Sequence, residues 1–371
     1  MQLRAVPAHR TSLFLLALLG LTGITAAQVS PIEPGAERPM FRRLPVKLHA
    51  PQYAIEAAST PLKTWNGYFH HNGKLYKYNM VGTAPFGGAS TTVQVELIPV
   101  RIIITAKSGV KTTYDPHHVL PNGYSVITNT VASPIFKKIT FSSGGVNMGT
   151  TQYVDAYQRA NFWGTVRNHT GYHLLLGAPT VLAQQTLSPP SDKGKKDNAF
   201  GFSAGLVDIN WFDVQAQSLV KKLGIKPNTL AVFLTFNIYL TDSGTCCVGG
   251  YHSATGSTTA PQSYVQATYV DHEGVFAQDV SALSHEIGEW ADDPLVVNTD
   301  GNNTPCGILE NGDPLQNDYN YGGHRYKGTN GFTYNLQDLV TLPYFGATPS
   351  TSVNGEFTFH GEGLAVCENG P

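Results

Sequence analysis

The chain has 371 residues, of which 41% are hydrophobic and 13% are charged, and its formal net charge is -2. A chain of this length and composition can bury a large core in one domain or in two. It has no run of lysine or arginine that would neutralise the phosphates of a nucleic acid, so the composition argues against a nucleic-acid partner.

The N-terminus has the pattern of a secretory signal peptide. Arg4 and Arg10 precede an apolar segment, LFLLALLGL, and small residues follow at Thr25 and Ala27. Residues 1–27 are therefore predicted to be removed on export, which would give a secreted or periplasmic protein; a retained anchor is the alternative. The apolar segment is short for a membrane span and no second one follows it, so we expect no span in the mature protein.

Residues 28–84 are predicted to form an N-terminal extension rich in β-structure. The stretch QVSPIEPGAERP is typical of a flexible leader. Aromatic residues then alternate on both sides of Asn72-Gly73, which predicts a β-hairpin over 65–82. This extension could be a pro-segment that blocks a site in the main domain, residues 85–371.

The main domain is predicted to alternate strands and helices. Long strands are expected over 91–106 and 229–240, a helix over 151–166, and a second helix that ends near Gly224. The stretch 187–201 combines proline, glycine and lysine and predicts an exposed loop. The order of elements favours one mixed-sheet α/β domain.

The segment SALSHEIGEWAD predicts a helix whose side chains suit a divalent metal, with Asp279 as the expected N-cap. His285 and Glu289 are four residues apart, so a helix projects both from one face, with Glu286 beside them. Imidazole and carboxylate are zinc ligands, and the adjacent carboxylate can take a proton from metal-bound water. The additional carboxylate also suits other divalent ions, such as Mn²⁺ or Ca²⁺. An exposed acidic helix without a metal is the alternative.

Several segments resemble one family of secreted proteins. SHEIGEWADDPLV is similar to the segment of the phosphate-induced, EXORDIUM-like proteins of plants and their bacterial relatives, in which a His-Glu-x-x-Glu helix runs into an Asp- or Asn-Pro-Leu turn. GTCCVGGYHSATG and CGILENGDPL resemble further segments of that family in the same order. The order of elements is also similar to the zincin arrangement, in which a sheet lies beside the metal-binding helix. The resemblance implies a secreted protein with a metallopeptidase-like site.

The resemblance also implies roles for residues after the helix. Glu310 is the expected third metal ligand, because it follows the helix after a loop, as in metalloproteases whose third ligand is a downstream carboxylate. Asp313 is the alternative third ligand or a residue that orients a ligand. Asp293 is a weaker candidate, since an aspartate before a proline is commonly a turn residue. Glu286 is the expected catalytic base.

Other residues near these segments have plainer interpretations. His252 and His324 lie in glycine-rich stretches and are interpreted as ordinary surface or second-sphere histidines, although substrate contact is conceivable. Tyr319 and Tyr321 could donate to an oxyanion, but a polar loop with packed aromatic residues is the favoured interpretation.

Four cysteines suggest two disulfides in an exported chain. The neighbouring pair Cys246 and Cys247 is disfavoured by geometry, so each is expected to bridge to Cys306 or Cys367. A thiolate metal site is the alternative, although the paired two-residue spacings of such sites are missing from the sequence.

These observations favour a secreted, Zn²⁺-dependent hydrolase that acts on a peptide or protein substrate, with another divalent metal as an option. The first alternative is a non-catalytic secreted binding protein on a zincin-like scaffold that holds a structural metal. A polysaccharide hydrolase that uses paired carboxylates is a weaker alternative, because one helix cannot place two carboxylates on opposite sides of a glycosidic bond. The sequence leaves the oligomeric state open.

Overall fold

The computed structural model describes residues 60–71, 74–143, 146–198, 200–298 and 323–337, with single positions between 44 and 50 and short strands between 340 and 358. The described residues all belong to one of the two units into which the chain divides, Glu33–Pro371. The signal peptide predicted for residues 1–27 lies outside the described residues.

The described residues form a mixed α/β structure that is rich in strands and has few helices. Its strands are β1 (Thr64–His71), β2 (Lys74–Val81), β3 (Ser90–Thr105), β4 (Lys111–Tyr114), β5 (Ile139–Ser143), β6 (Val146–Thr151), β7 (His173–Leu176), β8 (Thr180–Val181), β9 (Gln185–Leu187), β10 (Gly194–Asp197), β11 (Ala204–Asp208), β12 (Thr229–Phe236), β13 (Ile238–Asp242), β14 (Thr245–Val248), β15 (Gly250–Ser257), β16 (Ala260–Tyr269), β17 (Gly323–Lys327), β18 (Thr333–Gln337), β19 (Val340–Thr341), β20 (Thr351–Val353) and β21 (Glu356–Thr358). Its α-helices are α1 (Val126–Ala132), α2 (Tyr153–Asn161), α3 (Trp163–Val166), α4 (Ile209–Leu223) and α5 (Ser281–Asp292).

Strand β3 organises the main sheet, in which the strand order is β15-β16-β12-β3-β4. The short strands β7, β8 and β9 pair in parallel with successive parts of β3. Strand β12 is parallel to both β3 and β16, and every one of its residues is buried. A parallel strand that is covered on both faces is expected to be apolar throughout, as TLAVFLTF is.

The two faces of the main sheet support separate apolar cores. Leu230, Val232 and Leu234 of β12 join a core that also contains buried residues of α2 and α5. Ala231 and Phe233 point to the opposite face and join a core with buried residues of α4. The alternation of side chains along β12 therefore places α5 and α4 on opposite sides of the sheet.

A second sheet has the strand order β10-β11-β13-β14. Its strand β13 follows β12 of the main sheet after a single residue, Asn237. The long strand predicted for 229–240 is divided at Asn237, which has a φ angle of 51°. Its side chain binds Asp271, donating from Nδ2 to Oδ1 at 2.9 Å. The pattern of apolar residues gave no sign of this break because the residues on both sides are buried.

Three further elements can be compared with the predictions. The hairpin around Asn72-Gly73 is confirmed, because β1 and β2 pair antiparallel in that register. The helix expected over 151–166 is interrupted at Phe162, between α2 and α3. The stretch 187–201 is not entirely a loop, since β10 lies within it and pairs with β11.

Asp279 is not the N-cap of helix α5, contrary to the prediction. The helix begins at Ser281, and Val280 occupies the N-cap position without a capping side chain. The buried carboxylate of Asp279 instead accepts hydrogen bonds from the backbone of Val280 and from Asn335, with the Asn335 Nδ2 at 2.6 Å. Asp279 therefore connects the start of α5 to β18.

Within the described residues, no helix combines the length and the apolar character that crossing a membrane requires.

Asp279 should make the protein less stable as the pH rises from 4 to 7. Burial raises the pKa of Asp279 from 3.8 to about 7, so the folded state keeps a proton that the unfolded chain releases near pH 4. The stabilisation is complete below pH 4 and is lost as the pH rises through 7. Between pH 5 and pH 8 the free energy of unfolding of the wild type should fall by on the order of 2 to 3 kcal/mol relative to that of Asp279→Asn. Urea unfolding of both proteins measures this difference. Parallel pH profiles for the two proteins would contradict this expectation.

Candidate metal centre

Helix α5 carries the candidate site and is buried along its whole length. All twelve residues of Ser281–Asp292 are buried. The helix packs against β15, β16, β18 and α2. Gly288 permits the close approach of α2, because a Cβ atom there would lie 3.0 Å from the ring of Tyr157. The alternative of an exposed acidic helix is therefore wrong.

His285 and Glu289 lie together on one face of the helix, as their spacing predicted. The Nε2 atom of His285 is 2.9 Å from Oε1 of Glu289. The other ring nitrogen, Nδ1, is 3.0 Å from the side-chain oxygen of Gln337 on β18. The His285 ring is thus placed between a carboxylate and an amide oxygen.

His252 of β15 enters the same cluster from the sheet. Its Nδ1 atom is 3.4 Å from Oε2 of Glu286 and 3.8 Å from Oε2 of Glu289. Its Nε2 atom is 3.0 Å from the backbone oxygen of Asp293, at the end of α5. The side chains of His252 and Glu286 are fully buried.

The contacts of His252 determine which of its nitrogens carries the proton. A backbone oxygen only accepts hydrogen bonds, so Nε2 must donate to Asp293. Burial lowers the pKa of His252 from 6.5 to about 4, which keeps the ring neutral at neutral pH. A neutral ring carries one proton, so Nδ1 directs a lone pair toward the carboxylates of Glu286 and Glu289. One ring nitrogen and two carboxyl groups therefore meet at one point.

The cluster fits a divalent cation. One ligand atom from each of His252, Glu286 and Glu289 lies within 4.8 Å of the others. A cation between them would convert the repulsion of these atoms into attraction, and imidazole nitrogen with carboxylate oxygen suits zinc and related divalent ions. In such centres each ligating histidine commonly donates its second N–H to an oxygen, as His252 does to Asp293.

Gly250 makes room for Glu286 at the start of β15. A Cβ atom at Gly250 would lie 2.8 Å from the Glu286 side chain and 2.8 Å from the backbone oxygen of Gln266. Any side chain at this position would displace either the carboxylate or the neighbouring strand. The glycine is therefore a condition for the observed position of Glu286.

Asn298 fixes the end of α5 next to the cluster. Its Nδ2 atom donates to the backbone oxygens of Asp292, at 2.7 Å, and of Asn79 on β2, at 2.8 Å. Its Oδ1 atom accepts from the backbone nitrogen of Asn79 at 3.0 Å. The hairpin thus helps to hold the turn whose Asp293 carbonyl orients His252.

Asp293 does not act as the weak ligand candidate that its sequence position suggested. Its carboxylate accepts hydrogen bonds from the backbone nitrogens of Val297 and Asn298, at 2.9 and 3.1 Å. Those contacts direct the carboxylate into the turn after the helix. Asp293 contributes to the cluster through its backbone oxygen instead.

Several predicted residues lie outside the described part of the chain. They include the two carboxylates expected as the third ligand or its partner, two tyrosines and two cysteines: Glu310, Asp313, Tyr319, Tyr321, Cys306 and Cys367. Their proposed roles stay predictions.

His252 is the residue that sequence reasoning missed. It was interpreted as an ordinary surface or second-sphere histidine. The surface position is wrong, because the side chain is fully buried in the cluster. The available signal was a histidine two residues after Gly250 of the Gly249-Gly250 pair, which leaves space beside the strand. His324 lies on β17 opposite Leu336 and does not join the group formed by His252, Glu286 and Glu289.

The predicted disulfide pattern is also corrected. Cys246 and Cys247 are joined to each other, and their Cα atoms are 3.0 Å apart. The peptide bond between them is cis, and the expectation that geometry disfavours this neighbouring pair is therefore wrong. Neither cysteine is therefore left to pair with Cys306 or Cys367.

Comparison with protein-family models, with curated proteins and with solved structures gives no significant match to this chain.

Replacement of Gly250 by alanine should disturb the cluster. The added methyl group would overlap the Glu286 side chain and the backbone of β16, which should cost about 1 to 3 kcal/mol of unfolding free energy and weaken metal binding. Gly87→Ala is the matched control, because a Cβ atom there meets nothing within 4 Å. Thermal unfolding and zinc titration check both variants, and equal behaviour of the two would contradict the role given to Gly250.

Proposed function

We propose that the protein is an exported, zinc-dependent hydrolase of the metallopeptidase type, with α5 as a zincin-like active helix. The observation that carries the proposal is the lone pair of His252, which faces Glu286 and Glu289 in a buried site. The packing of α5 beside β15 and β16 also supports it, because a sheet beside the metal-binding helix is the zincin arrangement. The resemblance of SHEIGEWADDPLV to the EXORDIUM-like family supports export and this site.

His252 from the sheet and Glu289 from the helix would hold the cation. His285 is 2.9 Å from Oε1 of Glu289 but lies outside the group of His252, Glu286 and Glu289, so its role as a further ligand stays a prediction. Glu310 stays a predicted further ligand from the segment after the helix. The bound cation would act as a Lewis acid that polarises a carbonyl group and lowers the pKa of water. Zinc is the favoured ion because both nitrogen and oxygen ligands are present.

Glu286 would serve as the general base and acid of peptide hydrolysis. Its carboxylate would take a proton from the attacking water as the new C–O bond forms at the peptide carbonyl carbon. The same carboxylate would then deliver that proton to the leaving amine as the C–N bond breaks. Its position beside His252, 3.4 Å from Nδ1, keeps it within reach of the same point as the ligands.

A second candidate function is a non-catalytic binding protein that holds a structural metal. The exposed fractions of the four side chains favour it: 0% for His252 and Glu286, 1% for His285 and 2% for Glu289. Structural zinc sites are closed, whereas catalytic ones keep a position for water. The polysaccharide hydrolase is disfavoured, because both carboxylates face the same nitrogen of His252.

Removal of the His252 ring should weaken metal binding. His252→Gln deletes one ligand and leaves the two carboxylates to repel each other, so zinc affinity should fall by at least about 100-fold. His117→Gln is the matched control, because His117 is a surface histidine whose side chain is 58% exposed. Competition titration with a zinc chelator measures both. Wild-type affinity in His252→Gln would exclude this histidine as a ligand.

Removal of the Glu286 carboxylate should abolish hydrolysis and preserve the metal. In Glu286→Gln, release of fragments from casein or a peptide mixture should fall by about 10²- to 10⁴-fold, while one zinc per chain is retained. Loss of zinc from the variant would make Glu286 a ligand and contradict its role as base. Metal in the wild type without hydrolysis would favour the binding protein, and a wild type that takes up no metal would contradict both functions.

A further inference from the structure

We infer that Gln337 on β18 is a positioning residue that holds His285 in the tautomer that metal binding requires. This inference rests on the proposed metal centre. It extends that centre to a strand more than forty residues beyond the helix in sequence. Gln337 makes no contact with the reacting atoms in this account and acts through the His285 ring.

Two contacts place Gln337 against the helix. Its backbone nitrogen donates to Oγ of Ser284 at 2.8 Å. Ser284 in turn donates from Oγ to the backbone oxygen of Ser281, also at 2.8 Å. The end of β18 is thus fixed to the residue directly before His285. Gln337 is 2% exposed, so its side chain packs inside the protein beside the ring.

The amide oxygen of Gln337 determines the state of the ring. It lies 3.0 Å from Nδ1 of His285 and accepts a hydrogen bond, so the proton of the neutral ring is on Nδ1. Nε2 then carries the lone pair, and it lies 2.9 Å from Oε1 of Glu289. With the proton on Nε2 instead, that nitrogen would offer no lone pair, and a cation would have to displace the proton.

Each of the two histidines of the centre is therefore oriented by a hydrogen bond from one ring nitrogen to an oxygen, which belongs to the backbone in one case and to a side chain in the other. His252 donates to the backbone oxygen of Asp293, which a substitution cannot remove. His285 donates to a side chain, which a substitution can remove. Oxygen atoms that accept from ligating histidines commonly change metal affinity by 10- to 100-fold when they are lost.

Three variants separate positioning from simple packing. Gln337→Leu keeps the size of the side chain and removes the acceptor, so zinc affinity should fall about 10- to 100-fold. Gln337→Glu keeps an acceptor and should bind zinc at least as tightly as the wild type. Tyr334→Phe, on the same strand, removes the hydrogen bond from the Tyr334 hydroxyl to the backbone oxygen of Asn129 at 2.9 Å and leaves Gln337 in place, so it should lower thermal stability with little change in zinc affinity.

The tautomer can be read directly in metal-free protein. Nitrogen-15 NMR of histidine-labelled protein, with the His285 signals assigned by their loss in His285→Gln, should show the proton on Nδ1 in the wild type. In Gln337→Leu the proton should move to Nε2, toward Glu289. A protein that only lost packing would not change the proton position in this way.

Distinct results overturn the inference and the proposed function. A proton on Nε2 in wild-type, metal-free protein overturns the inference, and so does wild-type zinc affinity in a folded Gln337→Leu. If Gln337→Leu fails to fold, the tautomer of the wild type and the zinc affinity of Gln337→Glu still test the inference. Weaker zinc binding by Gln337→Glu than by the wild type would count against it. Failure of the wild type to bind zinc would remove the proposed function, while the NMR measurement would still test the tautomer.

Discussion

Nδ1 of His252 faces the carboxyl groups of Glu286 and Glu289 in a buried cluster, and this grouping is the constraint on which the candidate site depends. Ionised groups that are removed from water are costly unless an opposite charge meets them. The Asp293 carbonyl accepts the one proton of the neutral ring, which leaves Nδ1 facing the carboxyl groups. A divalent cation would provide a single positive charge between the carboxyl groups and the ring.

The rest of the structure holds these groups in place against their repulsion. Helix α5 is held at its start by the contact of Asp279 with Asn335, and at its end by Asn298. The middle is held by Gln337, and Trp290 donates to Ser263 of β16 at 2.9 Å. The positions of the ligands are thus set by β15, β18 and the N-terminal hairpin together, as expected of a centre that must exist before the metal arrives.

Local patterns predicted the local features correctly, and the features that depend on distant contacts were missed. The spacing of His285 and Glu289 and the pairing of β1 with β2 depend on near neighbours in sequence, and both agree with the structure. His252 reaches the cluster only because β15 pairs with β16 beneath α5. Gln337 reaches it only because β18 packs on the helix. No periodicity in the sequence predicts that β15 or β18 packs against α5. No local sequence pattern predicts the cis peptide bond between the two cysteines.

The most direct test of the cation is an anomalous difference map from crystals of the protein grown with zinc, with data collected above and below the zinc absorption edge. We expect one peak at about 2.0 to 2.2 Å from Nδ1 of His252 and a carboxylate oxygen of Glu289. Crystals of zinc-saturated protein that show no peak within the cluster, with His252 and Glu289 in the positions described, would contradict the account.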